Sequence, residues 1–143
     1  MKVIIILIMF FRSLAAPPSD AVAIFESESI NPFENLFKAV CQVESSGNQF
    51  AIGDNGKSYG ISQIQQSRLD DYFNRTGIRY TLQDMFDVQK SRQIFMFYAQ
   101  LHGPYQAEAL CREWNSGPRW RQIKATKVYY RKIQAHLKPT ETI

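Results

Sequence analysis

Residues 31–48 read NPFENLFKAVCQVESSGN, and this stretch decides the fold because it contains a whole helix that ends in polar residues. Asn31 and Pro32 predict the start of the helix, with Glu34 placed to reach back and complete a capping box. Gly47 predicts its end, since glycine readily adopts the left-handed conformation that stops a helix. Between these signals the apolar residues recur at helical spacing and predict one buried face: Phe33, Leu36, Phe37, Val40 and Cys41.

Glu44 is the most informative residue of this helix. It lies eleven positions after Phe33, and eleven steps of about 100° make three turns plus about 20°, so its carboxylate projects from the apolar face. Burial disfavours the ionised form, and the negative end of the helix dipole acts in the same direction. We therefore expect a raised pKa that keeps Glu44 protonated near neutral pH and able to donate a proton. The alternative is a helix-end glutamate that turns to water or pairs with a Lys or Arg.

Length and composition predict a single compact domain. The chain has 143 residues, of which 45% are hydrophobic, 21% charged and 13% aromatic. These proportions exclude a collagen-like, low-complexity or wholly disordered chain, and the length argues against a second domain. Two cysteines are too few for a disulfide scaffold, and His102 and His136 are too far apart in sequence for a metal-binding motif. We therefore expect neither a metal nor another cofactor.

The N-terminus has the pattern of a secretory signal peptide. Lys2 is followed by nine apolar residues, Val3 to Phe11, and then by Arg12 and a run of small residues. Nine apolar residues are too few for a transmembrane helix, which needs about 20. The sequence therefore predicts cleavage, no transmembrane span after it, and a periplasmic, extracellular or cell-wall-associated protein. A buried strand or a short anchor that stays attached is the alternative.

Charge is unevenly distributed along the chain. Once residues 1–15 are removed, the segment from Ala16 to Cys111 has 7 basic and 11 acidic side chains, whereas the segment from Arg112 to Ile143 has 8 basic and 2 acidic ones. A basic end favours an anionic polymer or surface as partner, although a solvated helix face explains it equally well. Nucleic acid is not predicted, because no aromatic and basic platform with a known signature is present.

The rest of the chain predicts a small β lobe and four more helices. Residues 48–59 are rich in turn formers and predict a hairpin or looped lobe inserted between helices. Thr81 to Asp84 is a second capping-box pattern and predicts the start of the third helix. The fold class is therefore α+β, predominantly α. We expect four segments: a signal peptide (1–15), an exposed lead-in (16–30), the main domain (31–138) and a C-terminal tail (139–143). The later helices are expected to close at Gly77, at His102, at Asn115 to Pro118 and, for one that starts at Arg119, at Leu137.

Four blocks of residues occur in order between Glu44 and Tyr129. They read ESSGN at 44–48, GISQI at 60–64, WNSGP at 114–118 and TKVY at 126–129. In this order they resemble the motifs Glu-Ser-x-x-Asn, Gly-Leu-Met-Gln-Ile, Tyr-Asn-x-Gly-Pro and Thr-x-x-Tyr of the soluble lytic transglycosylase family, within the lysozyme superfamily. The chain departs from the family pattern at four positions. Gln49 stands where the family usually has Pro, Ser62 where it often has Met, Trp114 where Tyr is usual, and Ala125 where Glu is common.

The resemblance implies a lysozyme-like domain that acts on the glycan strands of peptidoglycan. In the family a single glutamate protonates the bond between N-acetylmuramic acid and N-acetylglucosamine, then acts as base on the muramoyl 6-hydroxyl, which leaves a 1,6-anhydro end. Glu44 matches that glutamate. Other candidates have supporting roles: Ser45, Gln63 and Asn115 toward the sugar, Tyr129 toward Glu44, Trp114 as an aromatic face, and Tyr59 in the wall of the groove. Helix capping and packing are the alternative roles.

Alternatives stay open for the reaction. A hydrolytic muramidase has the same fold, and a catalytically silent module for cell-wall binding or envelope assembly would rely on the basic C-terminal helix. Asp54 and Glu113 are candidates for a second carboxylate, which glycoside hydrolysis usually requires. Turn formation explains Asp54 equally well, and an ion pair with Arg112 or Arg119 explains Glu113.

The two cysteines predict a disulfide. Cys41 lies one turn before Glu44, and Cys111 lies four residues before Asn115, so each is on a helix that leads into the predicted site. In an oxidising compartment a bridge between them would tie these helices together, with a gain of about 4 kcal/mol from the closed loop. Two buried free thiols are the alternative.

Overall fold

The computed structural model describes residues 31–137, which form five α-helices, a small sheet and two 3-10 helices. This confirms the α+β, predominantly α prediction with its small β lobe. The helices are α1 (Glu34–Ser45), α2 (Gln66–Thr76), α3 (Val88–His102), α4 (Ala107–Ser116) and α5 (Ala125–His136). The strands are β1 (Ile52–Gly53), β2 (Ser58–Tyr59) and β3 (Ile64–Gln65), and the 3-10 helices are Gln83–Phe86 and Gly117–Gln122.

The predicted signal peptide (1–15), lead-in (16–30) and tail (139–143) lie outside the described residues and stay predictions. Between residues 31 and 137, no helix has both the length and the apolar character that a membrane crossing needs.

Helix α1 buries the face that its spacing predicts, and it ends where predicted. Ser46 and Gly47 both have positive φ angles, 55° and 78°, so the helix stops directly after Ser45. Helix α1 begins at Glu34, two residues after the predicted first helical position Pro32, and the predicted capping box does not form. Asn31 accepts a hydrogen bond from the backbone N–H of Phe33 at 3.0 Å. Glu34, however, forms an ion pair with Arg92 of α3, with 2.6 Å between Oε2 and Nη2, because a cation binds a carboxylate more strongly than a neutral backbone N–H does.

The hydrophobic core joins α1, α3, α4 and α5. A row of aromatic rings crosses it. The ring centroids of Phe37 in α1 and Phe95 in α3 are 5.3 Å apart, and those of Phe95 and Trp114 in α4 are 5.1 Å apart. Helix α5 packs against both α1 and α4. The end of α1 is therefore enclosed by helices from the C-terminal third of the chain. Aliphatic side chains that are almost fully buried fill the space around the rings: Val40, Ile94, Leu110 and Ile133.

The β lobe is an antiparallel sheet in the order β1-β2-β3. Its first turn contains Asp54 and Asn55 in left-handed conformations, as the Gly-Asp-Asn-Gly sequence predicts. After β2 the chain bends at Gly60, whose φ is +77°, and lies directly against the backbone of Met85 in the first 3-10 helix. This close approach attaches the lobe to the helical part.

The starts of α3 and α5 also differ from the prediction. The capping box of Thr81 and Asp84 forms reciprocally, but it caps the 3-10 helix Gln83–Phe86. Helix α3 begins after it, and Asp87 caps it by accepting a hydrogen bond from the N–H of Gln89 at 2.8 Å. The last helix does not run unbroken from Arg119. A turn at Ile123 and Lys124 separates the second 3-10 helix from α5. The side chain of Thr126 donates to the carbonyl of Ile123 at this turn.

Gly60→Ala is expected to destabilise the domain by about 3 kcal/mol or more. A Cβ at this position would overlap the carbonyl oxygen of Met85, and the positive φ adds strain. Gly56→Ala is the matched control, because Gly56 also has a positive φ, +83°, but no heavy atom within 4 Å of the new Cβ. It should cost only about 1 to 2 kcal/mol. Urea denaturation of both variants measures the difference, and equal losses would contradict the role assigned to the Met85 contact.

Candidate active site

Glu44 is half-buried in the last turn of α1, where two helices meet. The hydroxyl of Tyr129, on α5, donates a hydrogen bond to its Oε1 at 2.6 Å. Burial raises the pKa of Glu44 from its ordinary value of 4.5 to about 7, the Tyr129 hydrogen bond opposes the rise, and the negative charge of Asp54 adds to it. Glu44 is therefore present in both protonation states near neutral pH, in agreement with the raised pKa expected from the sequence.

Tyr129 is held in place by a buried arginine that sequence reasoning missed. Arg112 of α4 donates from Nε to Oγ1 of Thr126 at 2.9 Å, and Thr126 lies one turn before Tyr129. The guanidinium of Arg112 also lies 4.5 Å from the ring of Trp120 and pairs with Glu108 at 2.9 Å. The spacing of Glu108 and Arg112, four residues apart on a helix, was the one signal that could have indicated this arginine.

Glu44 faces a cleft with a volume of about 720 Å³. The lobe contributes Asp54, Gln63, Ile64 and Gln65. One face of α2, here called the α2 wall, contributes Ser67, Arg68, Asp71 and Arg75. The end of α4 and the turn after it, here called the α4 wall, contribute Glu113, Trp114, Asn115, Ser116, Gly117, Pro118 and Arg119.

Asp54 is a second carboxylate in the same cleft, and its environment is the reverse of that of Glu44. It is exposed, and it accepts hydrogen bonds from the hydroxyl of Ser58 and from the side-chain amide of Gln65, the latter at 3.0 Å. These hydrogen bonds, chiefly the one from Ser58, hold the pKa of Asp54 below its ordinary value. Of these two carboxyl groups, Glu44 therefore ionises near neutral pH, whereas Asp54 stays ionised.

Gln63 and Asn115 both line the cleft. Gln63 donates from its side-chain amide to the carbonyls of Gly60, at 2.9 Å, and Ala51, at 3.2 Å, which fixes its orientation within the lobe. Asn115 is exposed at the end of α4. Both are neutral groups that can donate and accept hydrogen bonds, as the recognition of hydroxyl and acetamido groups requires.

Ser45 and Tyr59, in contrast, are not among the residues that line the cleft. The hydroxyl of Ser45 donates to the carbonyls of Ile61, at 2.8 Å, and Cys41, at 3.2 Å, and so joins α1 to the lobe. The ring of Tyr59 packs against that of Phe86, with 5.6 Å between the ring centroids. These contacts give Ser45 and Tyr59 packing roles in the structure, and their roles toward the sugar stay predictions.

Glu113 and Trp114 also differ from their predicted contacts. Glu113 lines the cleft and lies 3.2 Å from Nε2 of His102, whereas the expected pair with Arg112 or Arg119 is not formed. Trp114 is only 9% exposed, and its Nε1 donates to the carbonyl of Ser62 at 3.3 Å. Its ring mainly fills the core, so it offers little surface for a sugar to stack on.

The predicted disulfide is absent, since Cys41 and Cys111 are both free and buried. Burial raises the pKa of each thiol to about 12, so both behave as small apolar side chains in the core. No group of three or more His, Cys, Asp or Glu side chains within residues 31–137 is arranged to hold a metal ion.

Comparison of the sequence with protein families gives one match, to the Transglycosylase SLT domain, over residues 18–102. This match covers more than half of the chain, from the expected lead-in to the end of α3, and it includes Glu44 and the lobe. Comparisons with curated proteins and with solved structures give no match. The family match agrees with the order of the sequence motifs and with the helical fold, and this chain therefore belongs to the transglycosylase SLT domain family.

Proposed function

We propose that this protein is a lytic transglycosylase that cleaves the β-1,4 bond between N-acetylmuramic acid and N-acetylglucosamine in peptidoglycan. The observation that carries the proposal is the environment of Glu44, a half-buried carboxyl group with a pKa of about 7 at the edge of a cleft. A general acid works best when its pKa lies near the working pH. Membership of the family supplies the class of substrate, the peptidoglycan glycan strand.

In the first step of the proposed reaction, protonated Glu44 donates its proton to the bridging glycosidic oxygen. The bond from that oxygen to C1 of the muramoyl residue breaks, and positive charge develops on the ring. In the second step the carboxylate of Glu44 takes the proton of the muramoyl 6-hydroxyl, and the oxygen of that hydroxyl bonds to C1. Glu44 regains its proton, no water is consumed, and the product has a 1,6-anhydro end.

The surroundings of Glu44 support this use of one residue as acid and then as base. Tyr129 stabilises the carboxylate that exists between the two steps, through a 2.6 Å hydrogen bond that also fixes Oε1. Because the nucleophile belongs to the substrate, attack within one sugar ring gains from proximity, which lowers the barrier by several kcal/mol. In this proposal Gln63 and Asn115, which line the cleft, hydrogen-bond the sugar.

A hydrolytic muramidase is the second candidate function, and Asp54 is the observation that favours it. Two carboxyl groups in one cleft, one with a raised and one with a lowered pKa, are the arrangement in which an acid and an ionised partner act together on a glycosidic bond. In that reaction Asp54 would stabilise the charge on the ring until water attacks C1.

Export is part of the same proposal. Peptidoglycan lies outside the cytoplasmic membrane, and the apolar run of residues 3–11 is the feature of the sequence that would direct the chain there.

Glu44→Gln is expected to abolish cleavage, with a loss of at least about a thousandfold in rate, because an amide cannot donate the proton. Mass spectrometry of fragments released from purified sacculi measures both the rate and the type of end. Anhydro ends from the native protein support the main proposal. Binding to sacculi by both proteins, with no fragments released by the native protein, would indicate a non-catalytic binding module instead.

The same variant serves as its own folding control. In the native fold the raised pKa of Glu44 means that stability is lost as pH rises from about 4.5 to about 7, where the carboxyl group must ionise in a desolvated place. The amide avoids this cost, so Glu44→Gln should be at least as stable as the native protein at pH 8.

The pH dependence of kcat/KM should respond in opposite directions to two substitutions. For the native protein the rate should fall above about pH 7, as Glu44 loses its proton. Tyr129→Phe removes a hydrogen bond that favours the carboxylate, so the fall should move to higher pH. Asp54→Asn removes a negative charge that disfavours the carboxylate of Glu44, so the fall in kcat/KM should move to lower pH. Shifts of both variants in one direction would contradict this assignment of the electrostatics.

Asp54→Asn also separates the two candidate reactions. If Asp54 assists hydrolysis, the variant should lose products with reducing muramoyl ends by about a hundredfold and keep any anhydro products. If the reaction is only intramolecular, the native protein should give anhydro ends alone, and the variant should still give them. Reduction of the products with borohydride before mass spectrometry distinguishes the ends, because only the reducing end gains hydrogen.

A further inference from the structure

The outward side of α5 is a basic surface that the proposed reaction does not use. Tyr129 and Ile133 are buried on the inner side of this helix, where Tyr129 meets Glu44. At about 100° per residue, the exposed side chains on the opposite side include three cations and one apolar group. They are here called the α5 basic face: Lys124, Lys127, Val128 and Arg131. None of them lines the cleft, and the face lies on the side of α5 turned away from Glu44.

The fold does not neutralise the α5 basic face. Within residues 31–137, none of its three cations forms an ion pair or donates a side-chain hydrogen bond to another residue. The helices that pack against α5 are α1 and α4, and each of their acidic residues already has a partner. These pairs are Glu34 with Arg92, Glu44 with Tyr129, Glu108 with Arg112 and Glu113 with His102. The positive charge of the face is therefore available to a partner outside the molecule.

Two of the three cations lie where they weaken the helix. Lys124 directly precedes α5, Lys127 is in its first turn, and no acidic residue is present in that turn. The N-terminus of a helix is the positive end of its dipole, so cations there are repelled. An anion bound at this place would remove the repulsion. The position of these lysines therefore contributes nothing to the stability of the fold and favours an anionic partner.

An apolar side chain lies among the cations. Val128 is 51% exposed on the face, and Ile123, just before it along the chain, is 39% exposed. A polyphosphate chain offers charge to the lysines but nothing to these apolar groups. A phospholipid layer offers both, because its anionic headgroups lie above acyl chains that can take up short apolar side chains and the stems of lysines.

We infer that the α5 basic face binds the surface of a membrane that contains anionic phospholipids. Because the face is turned away from Glu44, a protein held in this way keeps its active-site cleft open to a substrate. This interaction goes beyond the proposed function, and neither depends on the other: Glu44→Gln should bind such a membrane as the native protein does.

The experiment measures sedimentation of the full chain with two kinds of vesicle. One kind contains equal parts of phosphatidylglycerol and phosphatidylcholine, and the other contains phosphatidylcholine alone. The apolar run of residues 3–11, where it is retained, would bind both kinds, so the neutral vesicles measure its contribution.

Two triple variants with the same net charge are compared with the native chain. The face variant replaces all three cations of the α5 basic face by Gln, which is a good helix former and should leave α5 intact. The control variant replaces three exposed cations of α1, the β lobe and the segment after α2 by Gln: Lys38, Lys57 and Arg79. Circular dichroism and urea denaturation check that both variants are folded.

The native protein should bind the anionic vesicles much more tightly than the neutral ones, and high salt should weaken this binding. Each cation close to an anionic membrane contributes about fivefold in affinity, so the face variant should bind about a hundredfold more weakly. The control variant should stay within about threefold of the native protein, since its cations are spread over other surfaces. Equal binding of both kinds of vesicle by the native protein, or equal losses in the two variants, would overturn the inference.

Val128→Ser distinguishes a lipid surface from an anionic polymer. Serine has a helix propensity close to that of valine, so α5 should be retained. The variant should bind anionic vesicles about threefold more weakly, because less apolar surface leaves water, and should bind soluble polyphosphate as the native protein does. Binding of polyphosphate by the native protein without binding of anionic vesicles would overturn the inference and indicate an anionic polymer as the partner.

Discussion

The hydrogen bond from Tyr129 to Glu44 joins the last helix to the end of the first, and the chemistry of the site depends on it. Burial alone would push the pKa of the carboxyl group upward, and the bond from Tyr129 opposes that rise. The balance leaves Glu44 with a pKa of about 7, so that it can give up and regain a proton at nearly equal free energy near neutral pH. A fully exposed glutamate would be too weakly basic to hold the proton, and a buried one without Tyr129 would resist losing it.

Two arginines connect the helices around Glu44 and Tyr129. Arg112 connects α4 to Thr126 and the Trp120 ring, and so fixes the helix on which Tyr129 lies. Arg68 reaches from α2 to the last carbonyls of α4, where a positive charge also complements the helix dipole. Both arginines satisfy polar groups that would otherwise be buried or left at a helix end without partners. The walls of the cleft are therefore attached through polar contacts in addition to the aromatic core.

The lobe completes the site from the other side. Ser58 and Gln65 come from neighbouring strands and hold Asp54 ionised, while Gln63 is anchored to the turns of the lobe. Because Asp54 is exposed and hydrogen-bonded, whereas Glu44 is half-buried and has one donor, two residues of the same chemical type acquire opposite pKa shifts. The difference arises from the environment that each element provides.

Local patterns in the sequence determined the features that depend on neighbouring residues. The apolar spacing before Glu44 and the turn formers around Asp54 were sufficient to predict a buried helix that ends in an acid and a small β lobe beside it. The ordered motifs indicated the family, whose match ends at residue 102, before the segment that contains Asn115 and Tyr129. Only the tertiary structure decided which side chains meet: Tyr129 and Glu44 are 85 residues apart, Glu34 pairs with Arg92, Glu113 with His102, and the hydroxyl of Ser45 bonds to the lobe. Helical periodicity and capping act over one or two turns, whereas such pairs depend on how whole helices pack, which no local pattern encodes.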